Sequence, residues 1–341
     1  EDNQLINHPQ ILLYHRVSED NLDSQLLTVS PSNFRSQLSF LKNNFKVISL
    51  EKFTDDFKKG CLSPNSVAIT FDDGYHDNYK FALPIIEEIQ VPVTFFVTAG
   101  FVDSTTESWW DELERIILLN PNIPKTLNIS SDDGIGFYWE RKATADIFAL
   151  WEELQRFLIE KPYSEIQEFL GLLKSWLISA PEPRESHRFL TSTELHKFSQ
   201  SPFVEIGSHT ITHSRLSKLS DEKQQEEISD SKDFLSKIVK KEIRYFSYPF
   251  GTVVDFNSKT INYVKDSNYE AAMANTQGFV SANDNLFSLP RLLVRNWSES
   301  DFIKWLSISD KSVLEQKLLI ERKTRIINQL NRNYSSEYSS H

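Results

Sequence analysis

The feature that most constrains this chain is a repeated alternation of short apolar runs with stretches of helical periodicity, the runs ending in polar clusters. Strands buried on both faces read as near-continuous apolar runs, whereas half-solvated helices repeat apolar residues at spacings of three and four. Ile11 to Tyr14, Val67 to Phe71, Pro92 to Thr98, Phe203 to Ile206, Tyr245 to Tyr248 and Leu289 to Val294 read as strands. Between them, Phe34, Leu38 and Leu41 mark an amphipathic helix opened by Ser30-Pro31, an N-cap followed by proline at the first helical position. Leu50 to Lys59 reads as a helix closed by Gly60, Tyr79 to Ile89 as another, and Ser220 as the start of a long charged one. Thr191 and Glu194 have the spacing of a capping box. This order predicts an α/β fold around a parallel sheet, with the loops after the strand ends as the functional face.

The alternation breaks between Asp103 and Leu190, where the pattern is mostly helical. Helices are expected around Ala143 to Ile159 and Tyr163 to Leu177, and a turn at Asp132-Asp133-Gly134. Trp109-Trp110 would either line a substrate wall or pack in the segment's own core.

Charge and cysteine usage remove whole classes of function. Lys and Arg number 37 against 48 Asp and Glu, a net charge of −11 with no basic run, so nucleic acid and anionic lipid are excluded as partners. Cys61 is the single cysteine, which rules out an intrachain disulfide framework and a cysteine-based zinc cluster. A reducing, cytoplasmic setting is the expectation, or an exported or periplasmic one if a leader preceded Glu1. No run approaches the roughly 18 to 20 apolar residues of a spanning helix, so no transmembrane segment is expected.

Three polar clusters follow apolar strands. In Thr70-Phe71-Asp72-Asp73-Gly74, two adjacent carboxylates at a buried strand end would repel unless a cation or a proton resolves the conflict. Alone, the tripeptide is an ordinary turn. In Ser208-His209-Thr210-Ile211-Thr212-His213, the two histidines share a face if the segment is a helical turn, a frequent metal-ligand spacing. Together the two segments supply two imidazoles and a carboxylate, a ligand set that leaves positions open for water and substrate. The third cluster, Phe246-Ser247-Tyr248-Pro249-Phe250-Gly251, offers an aromatic wall and backbone amides on the same face.

These three motifs, in this order, resemble those of the polysaccharide deacetylases of carbohydrate esterase family 4, the NodB-homology group, and Leu13-Tyr14-His15-Arg16-Val17 resembles the first strand of its biofilm exopolysaccharide branch. The resemblance implies an α/β fold, a distorted TIM-like (β/α) barrel, over residues 1–309. It would be interrupted by a mainly helical insertion at 103–190 beside the catalytic face and followed by a C-terminal helix and tail at 310–341. It further implies a divalent metal, zinc or else cobalt or nickel, held by Asp73, His209 and His213, with Asp72 as general base. Tyr248, Pro249, Phe250 and Arg291 are the expected substrate-binding residues. The substrate implied is an N-acetylated, or N-formylated, amino sugar in an oligomer, a polysaccharide or a carrier-linked glycan.

Two positions depart from the family pattern. Ser247 stands where many members have an arginine, and Arg291 is the residue that could supply that charge from a later strand. The late Leu-x-His motif that gives the general acid is missing, and His341 is the only histidine after His213. By exclusion His15, at the end of the first strand, is the expected acid or substrate-orienting group. Loss of those two features would also suit a catalytically degenerate carbohydrate-binding protein on the same fold, although such a protein has no use for Asp72. A two-carboxylate glycosidase fits poorly, because adjacent aspartates cannot easily flank a scissile bond and the histidines would have no role.

Overall fold

Every residue of Gln10–Tyr14, Ser66–Phe71 and Val93–Val97 is buried, as a strand covered on both faces requires. The computed structural model describes residues 8–19, 22–130, 136–177, 179–308 and 311–334; the Asp132-Asp133-Gly134 turn and the tail with His341 lie outside these. The chain divides into two compact units, the first made of residues 1–21, 25–105 and 188–311, the second of residues 22–24, 106–187 and 312–341.

In the first unit seven parallel strands close on themselves. They are β1 (Gln10–Tyr14), β2 (Ser66–Phe71), β3 (Val93–Val97), β4 (Val204–Ser208), β5 (Tyr245–Ser247), β6 (Ala271–Gln277) and β7 (Leu289–Leu293). The ring runs β1-β7-β6-β5-β4-β3-β2 and returns to β1. This is the expected α/β barrel. It is distorted, because β5 has three residues and the β6–β7 register shifts between Met273 and Gln277. Ile11, Ala68, Phe96, Tyr245, Met273 and Leu289 pack into one buried cluster, joined by Leu50 and Phe53 of the helix Leu50–Lys58. The helix Pro31–Asn44 is capped by Ser30 and buries Phe34, Leu38 and Leu41, the residues whose spacing announces it. The stretch expected as one helix from Tyr79 instead starts with a π-helical turn, Asn78–Ala82, before the α-helix Leu83–Ile89.

Register then places the site. Tyr14 lies opposite Phe71, Phe71 opposite Phe95, Val97 opposite Ser208, and Ser208 opposite Phe246. The residues just beyond these strand ends, His15, Asp72, Thr98, His209 and Tyr248, therefore leave the barrel at neighbouring points of one rim.

The second unit contains the helices Trp109–Leu118, Ala145–Leu158, Tyr163–Trp176 and Ser312–Tyr334, with an antiparallel pair of strands, Thr126–Ser130 and Gly136–Glu140, that the helical reading of this segment does not foresee. Trp109 and Trp110 are buried and meet edge to face, so they belong to the unit's own core. All ten positions of Trp109–Leu118 are buried. Its charges are tolerated there because they have partners: Arg115 reaches Glu107 at 2.7 Å, Lys174 reaches Glu112 at 2.9 Å, Arg184 reaches Glu114 at 2.5 Å and also Glu107 at 2.8 Å, and the Ser108 hydroxyl donates to Asp111 at 2.6 Å. Among the described residues no helix is long and apolar enough to cross a membrane.

Candidate active site

The strand β2 ends in a sharp turn at the two aspartates. Asp72 still belongs to the sheet, its N–H donating to Tyr14 O at 3.0 Å. Asp73 and Gly74 then take φ of 77° and 86°, the left-handed region. Gly74 is required twice over, because a Cβ there would also meet Val97 Cγ1 at 2.9 Å. The turn gives the two carboxylates different main partners, with His209 Nε2 near both, 3.6 Å from Asp73 Oδ1 and 3.8 Å from Asp72 Oδ2.

Asp73 meets the histidines. His213 Nε2 lies 3.4 Å and His209 Nε2 3.6 Å from Asp73 Oδ1, all three residues are buried, and one ligand atom from each lies within 4.8 Å of the others. His209 Nδ1 donates to Ser247 O at 2.8 Å, which fixes the tautomer and leaves Nε2 with its lone pair toward Asp73. Burial, above all, holds both imidazoles below the ordinary histidine value, so both are neutral at pH 7, the form in which imidazole can bind a metal. Donors bonded to one tetrahedral ion at about 2.0 to 2.2 Å stand roughly 3.3 to 3.6 Å apart, which the two separations from Asp73 match. Residue types, protonation and separation thus all fit a divalent cation.

The route to this arrangement differs from the expected one. His209 to His213 is an irregular loop with Thr210 at φ 66° and His213 at φ 57°, not a helical turn. With Asp73 and Phe250 (φ 60°), four non-glycine residues here occupy the left-handed region. Such conformations persist where the surroundings over-determine them, and they concentrate at working sites.

Asp72 is clamped by Arg291. The guanidinium donates from Nη1 to Oδ1 at 2.8 Å and from Nη2 to Oδ2 at 2.7 Å, and Ser247 Oγ donates to Oδ2 at 3.0 Å. Burial alone would raise the Asp72 carboxyl, but the Arg291 charge, then His209 and the Arg291 hydrogen bonds, outweigh it and hold the group well below the usual carboxylate range. Arg291 also reaches Ser247 Oγ at 2.9 Å, so its charge stands where the family's arginine is missing. It is fully buried and its remaining donors go to Ala274 O and Thr70 Oγ1, which makes it a holder of Asp72 and not a substrate contact.

The third cluster is more closed than expected. Tyr248 is buried, its hydroxyl donates to Phe287 O, its ring stacks on Phe256 at 3.9 Å, and its N–H is taken by Met273 O. Pro249 is buried too, and only Phe250 is half-exposed, with its ring 4.8 Å from His213. His15 is half-buried, and Asn78 Nδ2 holds its backbone carbonyl at 2.9 Å. Desolvation pushes the His15 imidazole down to about 3, with Asp72 opposing and Arg291 adding to the shift, and its Nδ1 has no partner among the described residues. It starts as a neutral ring. Glu227, buried on the helix Asp221–Val239 with its carboxylate on the Ile211 and Thr212 N–H groups, has no distinguishing signal in the sequence.

Known proteins share the fold of this chain. Poly-beta-1,6-N-acetyl-D-glucosamine N-deacetylase of Staphylococcus aureus is 23% identical over 322 residues, covering 89% of this chain and 85% of that protein. The deacetylase PplD of Streptococcus pyogenes, solved with acetate, superposes with a TM-score of 0.56 at 20% identity, over 88% of this chain and 98% of that one. IcaB from Ammonifex degensii gives 0.56 at 17%, over 89% and 98%. These likenesses share the barrel, and the polysaccharide deacetylase family model matches residues 59–118 and 162–272, which contain the aspartate pair, both histidines and the Tyr248 loop. On that match, this chain belongs to the polysaccharide deacetylase family.

Proposed function

We propose that this chain is a metal-dependent carbohydrate deacetylase that hydrolyses the N-acetyl group of an amino sugar within an oligomer or polysaccharide. The observation that carries the reading is the division of labour in the aspartate pair: Asp73 faces two neutral imidazoles, while Asp72 is held ionised by Arg291 beside them. The named activity of the staphylococcal relative supports the choice of an N-acetylated sugar.

Asp73, His209 and His213 would hold the ion, and zinc suits two imidazoles and a carboxylate, with cobalt or nickel able to replace it. Such an ion supplies Lewis-acid polarisation of the amide carbonyl and makes water a nucleophile near neutral pH. Asp72 takes the proton of the attacking water; Ser247 and Arg291 fix which way its oxygens point. The Tyr248 N–H is already engaged, which leaves the Phe250 N–H as the loop's candidate donor to the developing oxyanion. As the C–N bond breaks, the departing nitrogen needs a proton, and His15, neutral at the outset, would relay to it the one that Asp72 took from water, which returns Asp72 to its ionised form. The products are the free acid and the amine.

A degenerate carbohydrate-binding protein would have no need of a clamped second carboxylate, so the Asp72–Arg291 pair favours the enzyme. The test is to load the full chain with zinc, supply N-acetylated and N-formylated glucosamine oligomers of graded length, and measure released acetate and formate. Acetate release that stops in chelator and returns with metal is expected. Sugar binding with no acid released from any oligomer would overturn the reading.

A further inference from the structure

The strained loop between His209 and His213 is held from outside, and the helix Asp221–Val239 does the holding. Glu227, 9% exposed, accepts through Oε2 from the N–H groups of Ile211 and Thr212, both at 2.8 Å, and through Oε1 from the Thr212 hydroxyl at 2.6 Å. Three donors converging on one buried carboxylate form a charge-assisted grip on consecutive peptide units. One helical turn later on the same face, Ser231 meets Ser208 at 2.6 Å, on the residue just before His209. The far side of the loop is closed by backbone: Ala99 and Gly100 donate to Thr210 O and Ile211 O at 2.8 and 2.9 Å. A Cβ on Gly100 would meet Ile211 O at 2.5 Å, so this approach needs glycine.

The geometry points to Glu227 as a positioning residue for the metal set: its carboxylate locks the 209–213 loop, with Thr210 and His213 in the left-handed region, in the shape that brings both imidazoles onto Asp73. The inference rests on the metal-binding reading above and deepens it. Glu227 acts through the backbone of Ile211 and Thr212, so its loss changes how well the ligands are preorganised and leaves their chemistry intact. Neighbouring acids on the helix do not share the part, since Glu226 points to solvent with its side chain 55% exposed.

The experiment is zinc affinity by chelator competition on the full chain and on Glu227→Gln, Glu227→Ala, Thr212→Val and Glu205→Gln, with thermal melting of each metal-free protein. Removing a residue that orients metal ligands typically weakens binding about 10- to 100-fold, and that loss is expected for both Glu227 variants, with a smaller one for Thr212→Val. Raising zinc to saturation should then restore most of the turnover. Glu205→Gln removes a partner of Arg244 at the other end of β4, 2.7 Å away, and is expected to lower melting with zinc affinity unchanged. Zinc binding within about twofold of the unaltered chain in both Glu227 variants overturns the inference, as does an equal loss in Glu205→Gln. If Glu227→Ala fails to fold, Glu227→Gln and Thr212→Val decide it by the same measure. An unaltered chain that binds no zinc overturns the functional reading itself, whereas tight zinc in every variant overturns only the part given to Glu227.

Discussion

At the scale of single residues, the site depends on which charge is left with which partner. Asp72 and Arg291 are buried together, 2.7 Å apart, so removing one partner strands the other. Arg291→Met is expected to cost about 3 to 5 kcal/mol, because an uncompensated carboxylate stays in the core. The double variant with Asp72→Asn should regain most of that loss, as denaturant unfolding would show. The pH dependence has a definite sign. Asp72 titrates lower folded than unfolded, so the pair's contribution is complete above the unfolded value of about 3.9 and fades as pH falls through the folded one. In Arg291→Met burial, which raises the carboxyl, loses its largest opponent, so the acid limb of kcat/KM should move to higher pH. An unmoved limb would assign the base elsewhere. Asp72→Asn alone leaves the Arg291 guanidinium buried without its carboxylate, so it should melt lower than the unaltered chain; the folded fraction should keep metal and lose about 10² to 10⁴ in turnover, since an amide cannot take the water proton. For His15, the comparison is between an amide and an activated ester. The ester's leaving group needs little protonation, so His15→Gln should impair the amide far more. Equal loss on both would make His15 structural.

At the scale of elements, the strand ends and their polar clusters are legible because local pattern and function coincide there. An apolar run, a glycine and a carboxylate pair all appear within the stretch from Val67 to Gly74. Three things escape. Leu127 and Ile129, then Phe137 and Trp139, are buried in alternation, a period-two signal submerged in a segment that reads as helical. The loop from His209 to His213 takes its shape from positive φ at threonine and histidine, which no composition announces. Glu227 is one acid among Asp221, Glu222 and Glu226 on a charged helix, and only the fold shows which one turns inward. Close approach makes β4 a sensitive element. A Cβ on Gly207 would meet Phe96 Cδ1 at 2.5 Å and Tyr245 O at 3.0 Å, and the Phe96 ring is itself fully buried. Gly207→Ala should therefore cost about 1 to 3 kcal/mol and, by displacing the strand two residues before His209, weaken metal binding as well. Stability lost with metal affinity intact would mean that β4 absorbs the strain before it reaches the loop.

At the scale of the whole molecule, the two units solve the burial of charge differently. The second neutralises Glu107 inside the protein, with Arg115 and Arg184. The first neutralises Asp72 in the same way with Arg291 and sets Asp73 beside two neutral histidines. On the metal-binding reading proposed above, a divalent cation held by these three should act as a stabilising ligand for the first unit. Binding to the native state alone adds RT ln(1 + [metal]/Kd), about 2.7 kcal/mol at a hundredfold excess over Kd. Hydrogen exchange locates the effect. Zinc should slow exchange in Ser66–Phe71 and Val204–Ser208, the strands that lead into Asp73 and His209, and chelator should reverse it. His209→Ala should abolish both the protection and the rise in melting temperature while leaving the metal-free protein folded. Protection that persists in His209→Ala would remove His209 from the ligand set, and zinc that changes exchange in neither strand would remove the metal from this site.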